Sequence, residues 1–329
     1  MENLLLAEGA IRRLGNKLDP FKDRIRLLSM GKDGTVTLDD QPVSLDDVPV
    51  HLAWFSQELL ATGTVGQFSK ALLSATELRW LQTITAGLDH PMFRRLLENG
   101  VRMSNSDAQA PAIAEYVLGA VLHRYQQFSQ REKFQQNHQW ESVGFRQLCG
   151  SQWLIIGFGN IGQRVGRMAR SFEAVVTGVK RSAGSHPDAD AIIAFPQLAE
   201  HIGAADVIVL SCALTEQTAD LVDEAFLAAV KPGTVLVNIA RGGVVDEDAL
   251  LHALSSERLD YAILDVFKEE PLPAESPFWD HPRVHLTPHA SNRGNMTLPR
   301  GEALFLENLQ AWLTGAPLRN EVDLGFFSP

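Results

Sequence analysis

The sequence predicts an α/β fold: two doubly wound, mostly parallel sheets, each covered by helices on both faces. Three observations carry this expectation. In the first hundred residues, short apolar runs alternate with amphipathic segments. A second alternating series starts at Gln152, and its strands are nearly continuous in Val, Ile, Leu and Ala, the pattern of strands buried on both faces. The first strand of that series runs directly into a glycine-rich turn and then an amphipathic helix.

Taken in order, NLLLA, RIRLLSM, HLAWFS, LRWLQTIT and VRMSNS read as strands of the first sheet. AIRRLGNKL, VGQFSKALLSA and HPMFRRLLENG read as its helices, the last closed by Gly100. A long helical stretch follows, roughly Ala110 to Gln136, polar after Arg124, and an irregular loop leads to Cys149. WLIIGFG, AVVTGV, AIIAF, DVIVLSCAL, TVLVNIA, YAILDVF and VHLTPHA then read as seven strands of the second sheet. The tail PRGEALFLENLQAWLTGAPLRNEVD reads as one amphipathic helix ended by Gly315 and Pro317, expected to return to the first domain.

Bulk properties exclude several functions. The chain has 329 residues, enough for two domains of ordinary size. Its 29 Lys and Arg against 40 Asp and Glu give a net charge of −11, which argues against nucleic acid as a partner. No stretch reaches the length of a membrane span, because Glu115 interrupts APAIAEYVLGAVL. The two cysteines, Cys149 and Cys212, show no metal spacing, and no metal site is expected. The N-terminus MENLLLAEGAIRRL does not read as a signal peptide, so a reduced, cytoplasmic location is expected.

The turn GFGNIG places Gly157, Gly159 and Gly162 in G-x-G-x-x-G spacing between a buried strand and a helix. Gly157 allows the tight turn, Gly159 lets backbone approach a pyrophosphate, and Gly162 lets helix and strand pack closely. The helix N-terminus attracts the anion. Phe158, Asn160 and Ile161 complete the candidate phosphate loop, and Gly166 reads as a packing glycine.

Three more strand ends carry charge: Arg241 after VLVNIA, Glu270 after AILDVFKE, and His289 after VHLTP. Ligands of open α/β sheets bind outside the carboxyl ends of strands. A hydride acceptor carbonyl becomes an alkoxide and needs a proton, which a histidine can give and take back near neutrality. A carboxylate on the other ring nitrogen sets the tautomer, and a guanidinium can polarise the carbonyl and grip an adjacent carboxylate. The trio suits reduction of a 2-keto acid. Read singly, each residue is better explained by a surface or loop role; it is their joint placement at the strand ends that points to chemistry.

These residues resemble the D-isomer-specific 2-hydroxyacid dehydrogenases. The resemblance rests on GFGNIG, NIARGGVVDEDAL, LDVFKEEPLP, LTPHAS and ENLQAWLTGAPLRNEVD, and covers nearly the whole chain. It implies Arg241 as carboxylate and carbonyl binder, Glu270 as orienting acid and His289 as proton donor. It implies a substrate loop in TAGLDH, Thr85 to His90, with Ala86, Gly87 and Leu88 at the substrate, although a plain turn would also use glycine there. It places Ala240 and Asp265 near the nicotinamide; Asp265 could instead brace the loop carrying Glu270. It further implies a Rossmann-type NAD(P)-binding domain, residues 105–292, inserted into a flavodoxin-like substrate domain of residues 1–104 plus 293–329. A homodimer and hinge closure around substrate follow from the same resemblance. Trp54 and Phe55 fit equally a pocket wall and an ordinary core.

One departure concerns the cofactor. NAD-using relatives commonly end the second strand of the nucleotide domain with Asp, and here VKRS places Lys180, Arg181 and Ser182 at that point. Cations and a hydroxyl there would attract a 2′-phosphate, so NADP is expected, with NAD possible. Arg181 and Ser182 are the stronger candidates, with Lys180 toward solvent. Two rivals remain on the same fold. Formate and phosphite dehydrogenases are similar in outline, but formate oxidation needs no acid–base partner, so Glu270 favours carbonyl reduction; an NAD(P)H-sensing binding protein or corepressor is disfavoured by the complete trio.

Overall fold

A computed structural model describes residues 1–327. The described chain divides into two compact units, one of Met1–Gln109 with residues 295–327 and one of Ala110–Gly294.

The first unit holds strands β1 (Glu2–Ala7), β2 (Ile25–Met30), β3 (Val36–Leu38), β4 (Gln41–Pro42), β5 (Leu52–Phe55), β6 (Trp80–Thr83) and β7 (Arg102–Ser104). Its parallel core runs β7-β6-β5-β1-β2, the flavodoxin-like order. Antiparallel strands finish both edges: β3 and β4 on one side, and Glu321–Val322 beside β7 on the other. The β3–β4 hairpin has no counterpart among the expected strands. Its two-residue turn, Asp39–Asp40, has φ of 50° and 61°, as a type I′ turn requires. Helices α1 (Glu8–Leu14), α2 (Gln57–Thr62), α3 (Val65–Ser74) and α4 (Pro91–Glu98) connect the strands. The expected helix across residues 10–18 breaks at Gly15 (φ 51°), beyond which the chain continues as a 3-10 turn. The C-terminal helix Thr297–Thr314 packs Phe305, Leu309 and Leu313 into this unit's core. Trp54 is fully buried and stacks on Phe305 at 4.4 Å, and Phe55 packs against Phe68 and Phe93, so both are core residues.

The second unit opens with α5 (Ala110–Tyr125) and α6 (Phe128–Gln136). The single expected helix over 110–136 is therefore two helices, parted where Gln127 adopts φ 54°. The polar residues after Arg124 leave α6 without a buried face. All seven expected strands form: β8 (Gln152–Ile156), β9 (Val175–Lys180), β10 (Ala191–Ala194), β11 (Val207–Leu210), β12 (Val235–Asn238), β13 (Tyr261–Leu264) and β14 (Val284–Leu286). They are parallel throughout, in the order β10-β9-β8-β11-β12-β13-β14. This is the Rossmann order extended by one strand. Helices α7 (Asn160–Ser171), α8 (Ala199–Ile202), α9 (Glu224–Ala229) and α10 (Glu247–Ser255) complete the unit. Apolar side chains from alternate strand positions form two separate cores, one per sheet face, which is why these strands lack polar alternation.

Candidate active site

The sheet order of the second unit reverses between β8 and β11, and the carboxyl ends of the strands carry the candidate residues. The phosphate loop leaves β8 through Gly157, with φ 92°; a Cβ there would lie 2.4 Å from the Cys212 nitrogen. The amides of Gly157 and Phe158 both donate to the Val179 carbonyl of β9, at 3.1 and 3.0 Å. A Cβ on Gly162 would lie 2.4 Å from the Gly157 carbonyl oxygen, so helix and turn touch there. Gly159 differs: a Cβ added at this residue would meet no atom within 4 Å. Protein packing therefore does not demand glycine at 159, whereas a ligand approaching the backbone would. Gly159 is also the N-cap of α7 and supplies no capping side chain, leaving the first-turn amides of Asn160 and Ile161 to an external acceptor. These features fit a dinucleotide pyrophosphate. The Phe158 ring takes no part, being buried against α7.

Lys180 ends β9 and is paired with Ala194 of β10, and Lys180, Arg181 and Ser182 are all exposed. They follow directly on Val179, the residue that holds the phosphate loop.

Arg241 follows β12. Asn238, buried at the strand end, accepts from the Ala240 amide at 3.0 Å and donates to the Arg241 carbonyl at 3.0 Å, which fixes this turn. Ala240 is buried and its carbonyl accepts from Arg241 Nη1 at 2.6 Å. The next residue, Gly242, passes so close to Phe267 and Lys268 that a Cβ would overlap their backbone. The Arg241 turn and the loop leading to Glu270 are thus packed together.

His289 and Glu270 form a hydrogen-bonded pair, Nδ1 to Oε2 at 2.8 Å, with side chains 43% and 36% exposed. An ionised carboxylate only accepts, so Nδ1 donates and Nε2 is left for another partner. The other oxygen of Glu270 accepts from the Phe267 amide at 3.0 Å. His289 has φ 49°, a conformation that needs external support. Asp265 supplies it. Buried at the end of β13, its carboxylate accepts from the Thr287 hydroxyl at 2.6 Å, from the amides of Ala290 and Ser291 at 2.8 and 3.1 Å, and from the Ser291 hydroxyl. Asp265 therefore braces the turn carrying His289, rather than the loop of Glu270. The Tyr116 hydroxyl of α5 meets Thr287 at 2.9 Å, and burial pushes the Tyr116 phenol up to about 12.

Ala86, Gly87 and Leu88 lie in the first unit, in the turn between β6 and α4. Ala86 accepts from Asn105 Nδ2 at 2.9 Å, and the Leu88 side chain is buried in that unit's core. Asn238, Thr287 and Ser291 are structural members of the site that the sequence does not announce. A polar residue closing an otherwise apolar strand, as Asn238 does in VLVN, is the one available signal. Among the described residues, no group of three or more His, Cys, Asp or Glu could hold a metal, and no helix is long and apolar enough to cross a membrane.

A Rossmann sheet with an open phosphate loop at the carboxyl ends of its strands is the architecture of a dinucleotide-binding domain. Residues 118–291 match the family model for the NAD binding domain of D-isomer specific 2-hydroxyacid dehydrogenases. A glyoxylate reductase of Pyrococcus furiosus is 31% identical over 255 residues, 74% of this chain and 75% of that one. The human glyoxylate reductase/hydroxypyruvate reductase is 30% identical over 272 residues, 78% of this chain and 80% of that one. A crystal structure of a D-isomer specific 2-hydroxyacid dehydrogenase family protein from Aeromonas salmonicida superposes with TM-score 0.77 at 28% identity, covering 98% of both chains. The chain belongs to the D-isomer-specific 2-hydroxyacid dehydrogenase family and is an NAD(P)H-dependent oxidoreductase of that class.

Proposed function

We propose that this chain reduces a small 2-keto acid of the glyoxylate or hydroxypyruvate kind to the D-2-hydroxy acid, with NADPH preferred over NADH. The observation that carries the reading is the Glu270–His289 hydrogen bond at the strand ends of the dinucleotide-binding sheet. The nicotinamide, when bound, supplies the hydride. His289 holds at Nε2 the proton that the substrate oxygen takes, because Glu270 holds Nδ1–H. Arg241 binds the substrate carboxylate and polarises the carbonyl, its backbone fixed by Asn238 and by the close approach of Gly242 to Phe267. The second unit is the nucleotide domain and the first is the substrate domain. The glyoxylate and hydroxypyruvate names of the two relatives support the substrate class.

The NADPH preference rests on Lys180, Arg181 and Ser182, which stand where an acid would repel a 2′-phosphate. Steady-state rates with glyoxylate, hydroxypyruvate and a branched 2-keto acid, each with NADPH and NADH, test both parts. The expected result is turnover with the small acids and a kcat/KM at least about tenfold higher for NADPH, the effect of roughly 1.4 kcal/mol. Equal values or an NADH preference would remove the cofactor reading, and no turnover with any acid would remove the enzymatic one. A cytoplasmic homodimer completes the proposal; light scattering should give about twice the 36.2 kDa of one chain.

A further inference from the structure

We propose that the ion pair between Arg167 and Asp188 is the positioning device for nucleotide selectivity, holding the Arg181–Ser182 tip in register with the phosphate loop. The inference rests on the NADPH reading above and adds to it two residues outside the tip, Asp188 a few positions beyond it and Arg167 on the helix that follows the phosphate loop.

The tip is short and pinned at both ends. Lys180 is paired with Ala194 in the sheet, and Gly184 returns to bridge Ile192 of the same strand, its amide donating to the Ile192 carbonyl at 3.3 Å. Only residues 181–183 lie between these points. Beyond Gly184 the chain crosses to α7 and is fastened there. Arg167 donates to both oxygens of Asp188, Nε to Oδ1 at 2.9 Å and Nη2 to Oδ2 at 3.0 Å. This planar fork fixes orientation as well as distance. Asp188 is 7% exposed, and its amide donates to His186 Nδ1 at 3.2 Å. Arg170, one turn further along α7, donates to the Pro187 carbonyl and pairs with Asp190 at 3.1 Å. Asp190 in turn accepts from the Val176 amide at 2.8 Å.

The same segment touches the phosphate loop. A Cβ on Gly166 would lie 2.6 Å from the Asp188 carbonyl oxygen and 3.0 Å from the Phe158 ring. Phe158, the middle residue of GFG, meets His186 edge-to-face with centroids 5.5 Å apart. One aromatic ring therefore lies between the loop that would hold the pyrophosphate and the segment that anchors the tip. A dinucleotide phosphate spans both, so its 2′-phosphate is gripped well only if the two are in fixed register. NADH has an uncharged 2′-hydroxyl where NADPH has the phosphate, so the tip's cations have no charge to pair with on it. Loosening the anchor should therefore be felt chiefly by NADPH, whereas damage to the fold would be felt equally by both cofactors.

The test is Arg167→Met, which keeps the aliphatic stem and removes the fork, with Asp188→Asn as a second variant and Arg167→Lys as the conservative one. The full-length enzyme is assayed with each cofactor, and adenosine 2′,5′-bisphosphate is titrated calorimetrically. For Arg167→Met we expect KM for NADPH and Kd for the bisphosphate to rise about two- to fivefold, the scale of a partly exposed ion pair, at unchanged kcat. NADH parameters should stay within about twofold, and Arg167→Lys should fall between. Arg181→Ala is measured alongside. An unchanged NADPH/NADH ratio in Arg181→Ala overturns the cofactor reading and this inference with it. A lowered ratio in Arg181→Ala beside an unchanged one in Arg167→Met and Asp188→Asn overturns the positioning role alone. So does an equal loss for both cofactors.

Discussion

Asp265 and His289 are tied together twice over. The His289 amide donates to the Asp265 carbonyl at 2.8 Å, and the Asp265 carboxylate takes the amides of the next two residues, Ala290 and Ser291. A buried acid thus holds a left-handed histidine at the surface of the sheet. Replacing it by Asn turns one acceptor oxygen into a donor facing the Ser291 amide and hydroxyl. The hydroxyl can turn and accept, but the amide is stranded, at a cost of about 1–3 kcal/mol. Asp265→Asn should therefore lower the urea-unfolding free energy by an amount of that order and reduce kcat in step. Full stability with full activity would refute the bracing role.

On the proposed reading Glu270 acts through charge and orientation rather than burial, its side chain being 36% exposed. Glu270→Gln should leave stability nearly intact while kcat falls by about tenfold or more, against the 10²–10⁴-fold usual for a whole acid–base catalyst. The check is kcat and KM beside a thermal melt. A variant with unaltered kcat would show the pair to be ornamental.

The three glycines of the phosphate loop should separate by what they touch. Gly157→Ala and Gly162→Ala push a methyl into backbone at 2.4 Å and should destabilise by about 1–3 kcal/mol or more. Gly159→Ala meets nothing within 4 Å, so it should fold normally and lose cofactor affinity. Melting temperature and NADPH titration together distinguish these outcomes. A Gly159→Ala protein that binds NADPH like the wild type would count against that loop as the pyrophosphate site.

A pH effect on stability follows from His285. Burial against α5, and then the neighbouring His123, hold its pKa below the ordinary value. With the folded pKa depressed, the unfolded chain takes up the proton first. Stability is then fully present above about 6.5 and is lost as pH falls from there toward the folded value. Because β14 leads into Thr287 and the His289 turn, that loss should be felt near the site. Urea midpoints about one unit either side of 6.5 should differ more for the wild type than for His285→Phe. Equal pH dependence in both proteins would disprove the assignment.

Much of the fold is legible in the sequence because its strands are long apolar runs bounded by glycine or charge. VLVN, YAIL and VIVL could hardly be anything but buried strands. The break at Gln127 is not legible, since nothing in RYQQFSQ marks a helix end and the left-handed residue is a glutamine. The β3–β4 hairpin is hidden by its acidic turn and two-residue strand. In the site, residues with chemical identity at strand ends, Arg241, Glu270 and His289, can be picked from the sequence. The residues that hold them cannot. Asn238 grips backbone, Thr287 and Ser291 donate to the buried Asp265 carboxylate, and the partnership of Arg167 with Asp188 spans 21 residues and a helix-to-loop contact that no local pattern reveals.

The most direct measurement is the initial rate of NADPH oxidation with glyoxylate or hydroxypyruvate, for the wild type beside His289→Asn. Asparagine tolerates the left-handed backbone at this position, so the turn should survive the change. The account requires turnover by the wild type and a loss of about 10²–10⁴-fold in kcat for the variant, with NADPH still bound. Undiminished turnover in His289→Asn would contradict it.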